Sequence, residues 1–563
     1  MNWIKNWSFR RAASCLTGLW AFLMLTAFPL YAKERYARMG VHKFEFFLAI
    51  SVACLLPAAL FYTIGKFLSC RIKTSAGSHC GGKEDVACAT ARGRIHAPRR
   101  ALLSGLDLAM LCYLAACCLS WALGVDRREG WTGVSGWFMG LRTQLLFVLI
   151  YFLASRGLSL GAFWKRALLT GHFLGSGAVF LLGVLHRFRL DPLDMYRGLD
   201  ESWQLLFLST IGQASWYSAY VCVALAPGAA LFFSSGRPRV RVAAGAYCAL
   251  GFATVVTQNS DSAFAAMAAL LFVLFLAACD GPDRMERFFE TVLLMLGSFK
   301  AVGILQEIFP KQAVRLEGVS EFLSQSTATW IAFLAVCLLY MGFLFWRQKH
   351  PQILEFECKR RLRAGAWILS AGALLCYALA VWLNTSGILE KLLGIRSENQ
   401  YLLFDRFWGN SRGFTWKFTL EAFGELPFGR KLTGVGPDCF SAWCYGDLRL
   451  AGELDHFFGA DQMLTNAHNE WLNALFCLGI LGLAAYLAIF AVSFRRFFAA
   501  GSASWLGLAA AAGVLVYAAH NFFCYQQICC APYLFLLLGL AENVRKISGD
   551  GAHRTGGFNH TTS

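Results

Sequence analysis

The chain has 563 residues; 57% are apolar before its 53 glycines are counted, and only 15% are charged. A soluble domain carries about 25% charged residues, so an ordinary soluble enzyme, a disordered chain, a coiled coil and a secreted disulfide scaffold are all excluded. The apolar residues fall in blocks of about 18–23, the length that crosses a hydrocarbon core ~30 Å thick, and the expected fold is an all-α polytopic integral membrane protein.

In chain order, about fourteen transmembrane helices are expected: 12–31, 44–65, 101–123, 143–157, 167–186, 212–233, 242–257, 262–279, 288–307, 327–346, 364–384, 471–494, 503–519 and 531–543. The first begins with Arg10 and Arg11, but its cleavage signal is poor and a second span follows closely. It reads as an uncleaved anchor rather than a signal peptide. The net charge of +17 reads as topology, because cytoplasmic loops collect Lys and Arg. No zinc finger, RNA-binding motif or basic helix points to nucleic acid. The short loops rich in Arg and Lys, 66–100 and 347–363, put both termini in the cytoplasm. Residues 1–200 are expected to form an N-terminal transmembrane bundle with the basic loop 66–100, and residues 546–563 a cytoplasmic tail.

One segment stands apart. Residues 385–470 make a loop of roughly 85 residues between two spans, and structureless loops of that length are uncommon unless functional. It is expected outside the membrane, with short helices in it. Asn410 or Ser411 could cap a helix over Gly413–Phe423, ended by Pro427. Arg412, Trp416 and Thr419 then share one face. Arg412 lies beside a helix N-terminus that already favours an anion, and its planar fork suits a phosphate; the plain alternative is an ion pair with Glu421 or Asp405. Gly434-Val-Gly436-Pro437-Asp438 reads as a tight turn with close backbone approach. Further on, Asn466 or Asn469 could cap the helix that follows, leaving His468 at its start. There the ring is expected to be neutral and able to act as a base or hydrogen-bond partner. His520-Asn521 could face the same site or simply cap its own helix. Asp261 lies at membrane level, either functional or capping the eighth span. Gly212–Tyr217 opens the sixth span in a similar way and could be a small-residue helix contact.

Most of the twenty cysteines sit in apolar blocks and act as small hydrophobes. Cys439 and Cys444 are candidates for a disulfide. Cys70, His79, Cys80 and Cys88 share a loop but lack metal-ligand spacing. His-Glu-x-x-His and Gly-x-Ser-x-Gly are both absent, and no metal or cofactor is expected.

The motif residues resemble the bacterial O-antigen ligase and O-antigen polymerase superfamily of membrane glycosyltransferases. Its pattern is an Arg followed four residues later by Trp, then Pro, a Gly-x-Gly turn, and a His-Asn pair before a helix of the form Leu…Gly-x-x-Gly. Here these are Arg412, Trp416, Pro427, Gly434, Gly436, His468, Asn469 and Leu478–Leu483. The resemblance is specific over 409–485 and weaker over 205–545, the expected ligase-like membrane domain, with 385–470 as its catalytic loop. One departure is clear: the family often has Thr-x-Ser-Arg at the start of the eighth span, where this chain reads Thr257-Gln-Asn-Ser-Asp261-Ser with no arginine.

The resemblance implies a polyprenyl-pyrophosphate-linked glycan donor and transfer to a hydroxyl of a glycan, lipid or protein acceptor at the outer face of the bacterial cytoplasmic membrane. Membrane lipids and other polysaccharide-assembly proteins are the further partners it implies. It gives Arg412 to the pyrophosphate and His468 as the base or as the residue that orients the acceptor, with Asn469 holding that ring and Trp416 binding substrate. Lys417, Arg430 and Lys431 are further phosphate candidates. The rival readings are a secondary transporter or flippase for a lipid-linked or anionic substrate, which should show inverted repeats and broken helices, and a sensor or assembly partner. Polymerase and ligase are not separated at this stage.

Overall fold

A computed structural model describes residues 2–77, 103–204, 206–258, 260–500 and 504–555. Much of the expected basic loop 66–100, with His79, Cys80 and Cys88, and the end of the 546–563 tail fall outside those residues. The chain is all-α apart from one two-residue antiparallel pair, Phe207–Leu208 with Gly212–Gln213.

Each of the fourteen expected windows contains a helix. Among the described residues, ten helices are long and apolar enough to cross a membrane. The others depart for local reasons. Ser262–Ala278 and Trp505–His520 are apolar but have only 17 and 16 residues. Leu141–Phe152 has 12 and continues as the π-helical turn Leu153–Gly157. Ala531–Thr555 is interrupted by Glu542, Arg545 and Lys546.

The helices start where chemistry favours a start. Ser104 and Asp107 form a reciprocal capping box for Gly105–Ala122. Pro238 and Pro282 open their helices at positions where no N–H is needed. The Ser326 hydroxyl caps Thr327–Lys349.

Ala214–Ser234 is the centre of the bundle, with 89% of its apolar window buried. Pro238–Thr257, Ser262–Ala278 and Trp505–His520 pack around it. By contrast, 6% and 0% of the windows of Thr327–Lys349 and Lys359–Thr385 are buried. Their exposed side chains, such as Trp330, Leu338, Leu375 and Trp382, suit helices surrounded by lipid. The apolar core is continuous from the first helix to the last, and Phe147 stacks on Phe535 at 5.3 Å. No gap in that core marks residue 200. Two carboxylates buried along the helices are met by arginines, as membrane burial favours. Arg156 grips both oxygens of Asp107 at 2.9 and 2.6 Å, and Arg496 grips Glu542 at 2.7 and 2.8 Å.

Residues 386–470 fold as a series of helices on one face of the bundle: Ile388–Leu393, Trp408–Glu425, Phe428–Thr433, Phe440–Cys444 and Leu448–Phe458.

Candidate functional site

The Trp408–Glu425 helix begins on a kink. Gly409, Asn410 and Ser411 all take left-handed φ of +59°, +60° and +66°. Neither Asn410 nor Ser411 caps the helix as expected, because both are spent on this reversal. Their place in the turn puts Arg412 at the first regular helical residue. Its Nε donates to the Phe523 carbonyl at 2.8 Å, and Nη1 donates back to Gly409 O. No Arg412 pair with Glu421 or Asp405 forms. Burial lowers the Arg412 pKa, while Cys524, Tyr525 and Asp261 pull it the other way. Four residues on, Trp416 lies 6.1 Å from the Phe523 ring, nearly parallel to it, and edge-on to Phe522 at 5.4 Å. Its Nε1 is buried without a hydrogen-bond partner among the described residues. Arg412 and Trp416 thus hold the same stretch, Phe522–Phe523, by their i, i+4 spacing.

The other half of the site comes from the Gly-Val-Gly turn and the helix start after His468. The Glu470–Ala500 helix is broken at Gly479, where φ is +71°. The turn docks into that break. Val435 N donates to Phe476 O at 3.2 Å, and Gly436 N to Cys477 O at 3.0 Å. A Cβ on Gly434 would lie 2.2 Å from Cys477 O, and one on Gly479 would lie 2.4 Å from Leu432. Only glycine permits this contact of backbone with backbone. The earlier helix Gly105–Ala122 is tied to the same break, Ser120 Oγ donating to Cys477 O at 2.7 Å.

Asn469 is the cap. Its Oδ1 accepts from Trp471 N and Leu472 N at 3.0 and 3.1 Å. Its oxygen thus serves the helix, the capping role expected of it. Asn466 Oδ1 instead accepts from the His468 backbone at 2.9 Å and helps hold His468 at φ +48°. The His468 ring stands edge-on to Tyr525, 5.2 Å between centroids. Burial, then the neighbouring Arg412 charge, pull its imidazole down to about 4, so the ring is neutral at pH 7.

Arg412 and His468 therefore meet on one segment, residues 520–526, which sequence reasoning largely passed over. Glu470 fastens it. Its carboxylate accepts from Tyr486, Tyr517 (3.1 Å) and Asn521, and its backbone N donates to Asn521 O at 3.0 Å. His520 neither faces solvent nor serves only as a cap. Its Nε2 lies 2.7 Å from Ser218 Oγ and 3.1 Å from Ser262 Oγ, joining three helices. Trp216, in the opening of the sixth span, donates to Tyr525 OH at 3.0 Å. Asp261 sits at the start of Ser262–Ala278 without capping it; its carboxylate accepts from Tyr401 OH at 3.0 Å.

Asp438, read from sequence only as part of the turn, is a further member. It has φ +60° and is 7% exposed. One oxygen, Oδ2, accepts from Val134 N and Met139 N at 2.9 Å each. Burial pushes its pKa up to about 7 despite those two bonds.

The remaining cations lie elsewhere. Lys417 is exposed and 3.8 Å from Glu421. Arg430 sits over Trp443 at 5.2 Å and donates to Leu123 O. Lys431 follows it on the same six-residue helix. Cys439 and Cys444 are both free thiols. They lie five residues apart around one helical turn, roughly 140° apart on the helix, and Cys439 Sγ faces Asp126 O instead. Among the described residues, no three His, Cys, Asp or Glu side chains gather to hold a metal ion.

Arg412, Gly434, Gly436, His468 and the break at Gly479 all fall within one stretch of the chain that resembles a known family. Residues 316–487 match the O-antigen ligase family. The match supports a place for the chain in the O-antigen ligase superfamily, and with it glycan transfer in cell-surface polysaccharide synthesis. The ligase-family stretch contains Arg412, Asp438 and His468, while the segment that joins them, 520–526, lies beyond it. No curated protein matches the chain.

Proposed function

We propose that the protein transfers or polymerises a polyprenyl-pyrophosphate-linked glycan onto an acceptor hydroxyl at the outer face of the bacterial cytoplasmic membrane, with both termini cytoplasmic. The observation that carries this reading is the convergence of Arg412 and His468 on Phe523–Tyr525, from positions 56 residues apart in sequence. In this reading the acceptor oxygen forms a bond to the sugar's anomeric carbon as the bond to pyrophosphate breaks. The departing group gathers negative charge, and Arg412 stabilises it with the donor atoms left over from Phe523 and Gly409. Trp416 offers an aromatic face beside it. The neutral His468 ring donates its N–H to the acceptor hydroxyl oxygen and orients it.

The test is polysaccharide analysis of cells lacking the protein, complemented by wild type, Arg412→Ala or His468→Ala at matched membrane levels. Loss of long chains with retention of single lipid-linked repeats, unrescued by either variant, identifies a polymerase. Accumulation of full-length glycan on its lipid identifies a ligase. Full rescue by both variants would overturn the site and turn attention to the transporter or flippase reading.

A further inference from the structure

A cavity of about 50 Å³ has Asp438, Glu470, Gln526, Asn466 and Tyr525 among its lining residues. Its walls mix apolar side chains with these polar ones, and it has room for a few water molecules. Asn466 and Tyr525 also touch His468, through its backbone and its ring respectively. The cavity is thus one side chain away from the ring that meets the acceptor.

Asp438 is held in this wall at φ +60°, a left-handed backbone that Asp tolerates better than most residues. The backbone N–H groups of Val134 and Met139 clamp Oδ2. Oδ1 has no hydrogen-bond partner among the described residues, and the side chain lines the cavity. His468 is a poor resting place for a proton at neutral pH, since its imidazole is pulled down to about 4. The Asp438 carboxyl, raised to about 7, is suited to take a proton and return it.

We propose that Asp438 is the proton acceptor of the transfer step, receiving the acceptor's hydroxyl proton through water in the cavity it shares with Glu470 and Tyr525. The inference rests on the transferase reading above. As the acceptor O–H bond breaks, its electron pair forms the new bond to the anomeric carbon. The electron pair of the old glycosyl–phosphate bond leaves on the pyrophosphate. The proton passes along cavity water to Asp438 Oδ1 and is later released to solvent. No further reactant is needed. The titratable groups that face Asp438 are Glu129, whose negative charge raises it, the Cys439 and Cys477 thiols, Glu470, and the phenols of Tyr113, Tyr486 and Tyr525.

The experiment measures transfer rates against pH for the full chain in lipid nanodiscs, using lipid-linked glycan extracted from the source cells and the same cells' acceptor fraction. Asp438→Asn is the deciding variant. It tolerates left-handed φ and keeps an oxygen for Val134 and Met139, but it cannot take up a proton. The expected result is a rate that rises through about pH 7 in the wild type. In Asp438→Asn, kcat falls about 10²–10⁴-fold with KM for the donor unchanged and the acidic limb gone. In His468→Gln, the rate is lower but the limb stays. A wild type without a limb between pH 6 and 8 overturns the proposal even if the variant fails to fold. So does an Asp438→Asn enzyme that matches the wild type. Both outcomes leave the transferase reading standing; a wild type that transfers nothing from the donor overturns the two together.

Discussion

Arg412 spends Nε on Phe523 O and Nη1 on Gly409 O, so in the proposed reaction it both builds the site and serves it. Lysine at this position would keep the charge but could not make the structural bond and grip a phosphate at once. Arg412→Lys is therefore expected to lose at least about 10-fold in transfer rate, and Arg412→Ala about 10²–10³-fold, read as initial rates at saturating donor. Glu470 fastens the 520–526 segment to the start of its own helix. Glu470→Gln removes a buried acceptor from a network of three donors, at an expected cost of about 1–3 kcal/mol, measured as a lowered midpoint of thermal unfolding in detergent. The motif residues Arg412, Trp416 and His468 were legible because residue type and spacing carry their chemistry. Asp438, Tyr525 and Trp216 were not. Their importance comes from partners roughly 60 to 300 residues away, such as Val134 for Asp438 and Trp216 for Tyr525, and no local pattern records such a meeting.

Among the elements, the broken helix Glu470–Ala500 and the Gly-Val-Gly turn behave as one unit. A Cβ at Gly434 or Gly479 meets backbone atoms at 2.2–2.4 Å, and both residues have positive φ. Gly434→Ala and Gly479→Ala should each cost about 3 kcal/mol or more, from strain and clash together. Gly424→Ala, where a Cβ meets nothing within 4 Å, should be neutral or slightly stabilising. The yield of monodisperse protein and its unfolding midpoint separate the two outcomes. The turn itself was visible from its glycines. The break that receives it was not, because Leu478-Gly-Ile-Leu-Gly482 also reads as an ordinary stretch of membrane helix. The same limit explains Asn410 and Ser411. Their residue types suit a cap, but Asn also tolerates left-handed backbone, and the reversal won.

Across the whole molecule, hydropathy placed a helix in every expected window, because a ~30 Å hydrocarbon core imposes a length that shows in any long sequence. What hydropathy could not express was rank: which helices form the interior and which face lipid. Ala214–Ser234 and Lys359–Thr385 are both apolar, yet only the first is buried. Apolar substitutions such as Leu375→Ala should therefore change stability by less than about 0.5 kcal/mol, whereas Val221→Ala, fully buried, should cost about 1–2.5 kcal/mol. Chemical unfolding in mixed micelles would measure both. Cys439 and Cys444 give a check on the segment between the spans: the protein should run identically on gels with and without reductant.

The seam between Arg412, His468 and the 520–526 segment also dictates a timetable. A ribosome adds about 5–20 residues per second, so roughly 6–20 s pass between the emergence of Arg412 and that of Tyr525. Throughout that interval the guanidinium has no Phe523 carbonyl to hold it, and His468 has no phenol beside it. The nascent protein is inserted long before it is competent. A stop codon after residue 500 should leave a chain that reaches the membrane, escapes a simple test of insertion and makes no polysaccharide. The junction cannot close on a half-made chain, since the last helices to arrive supply its centre.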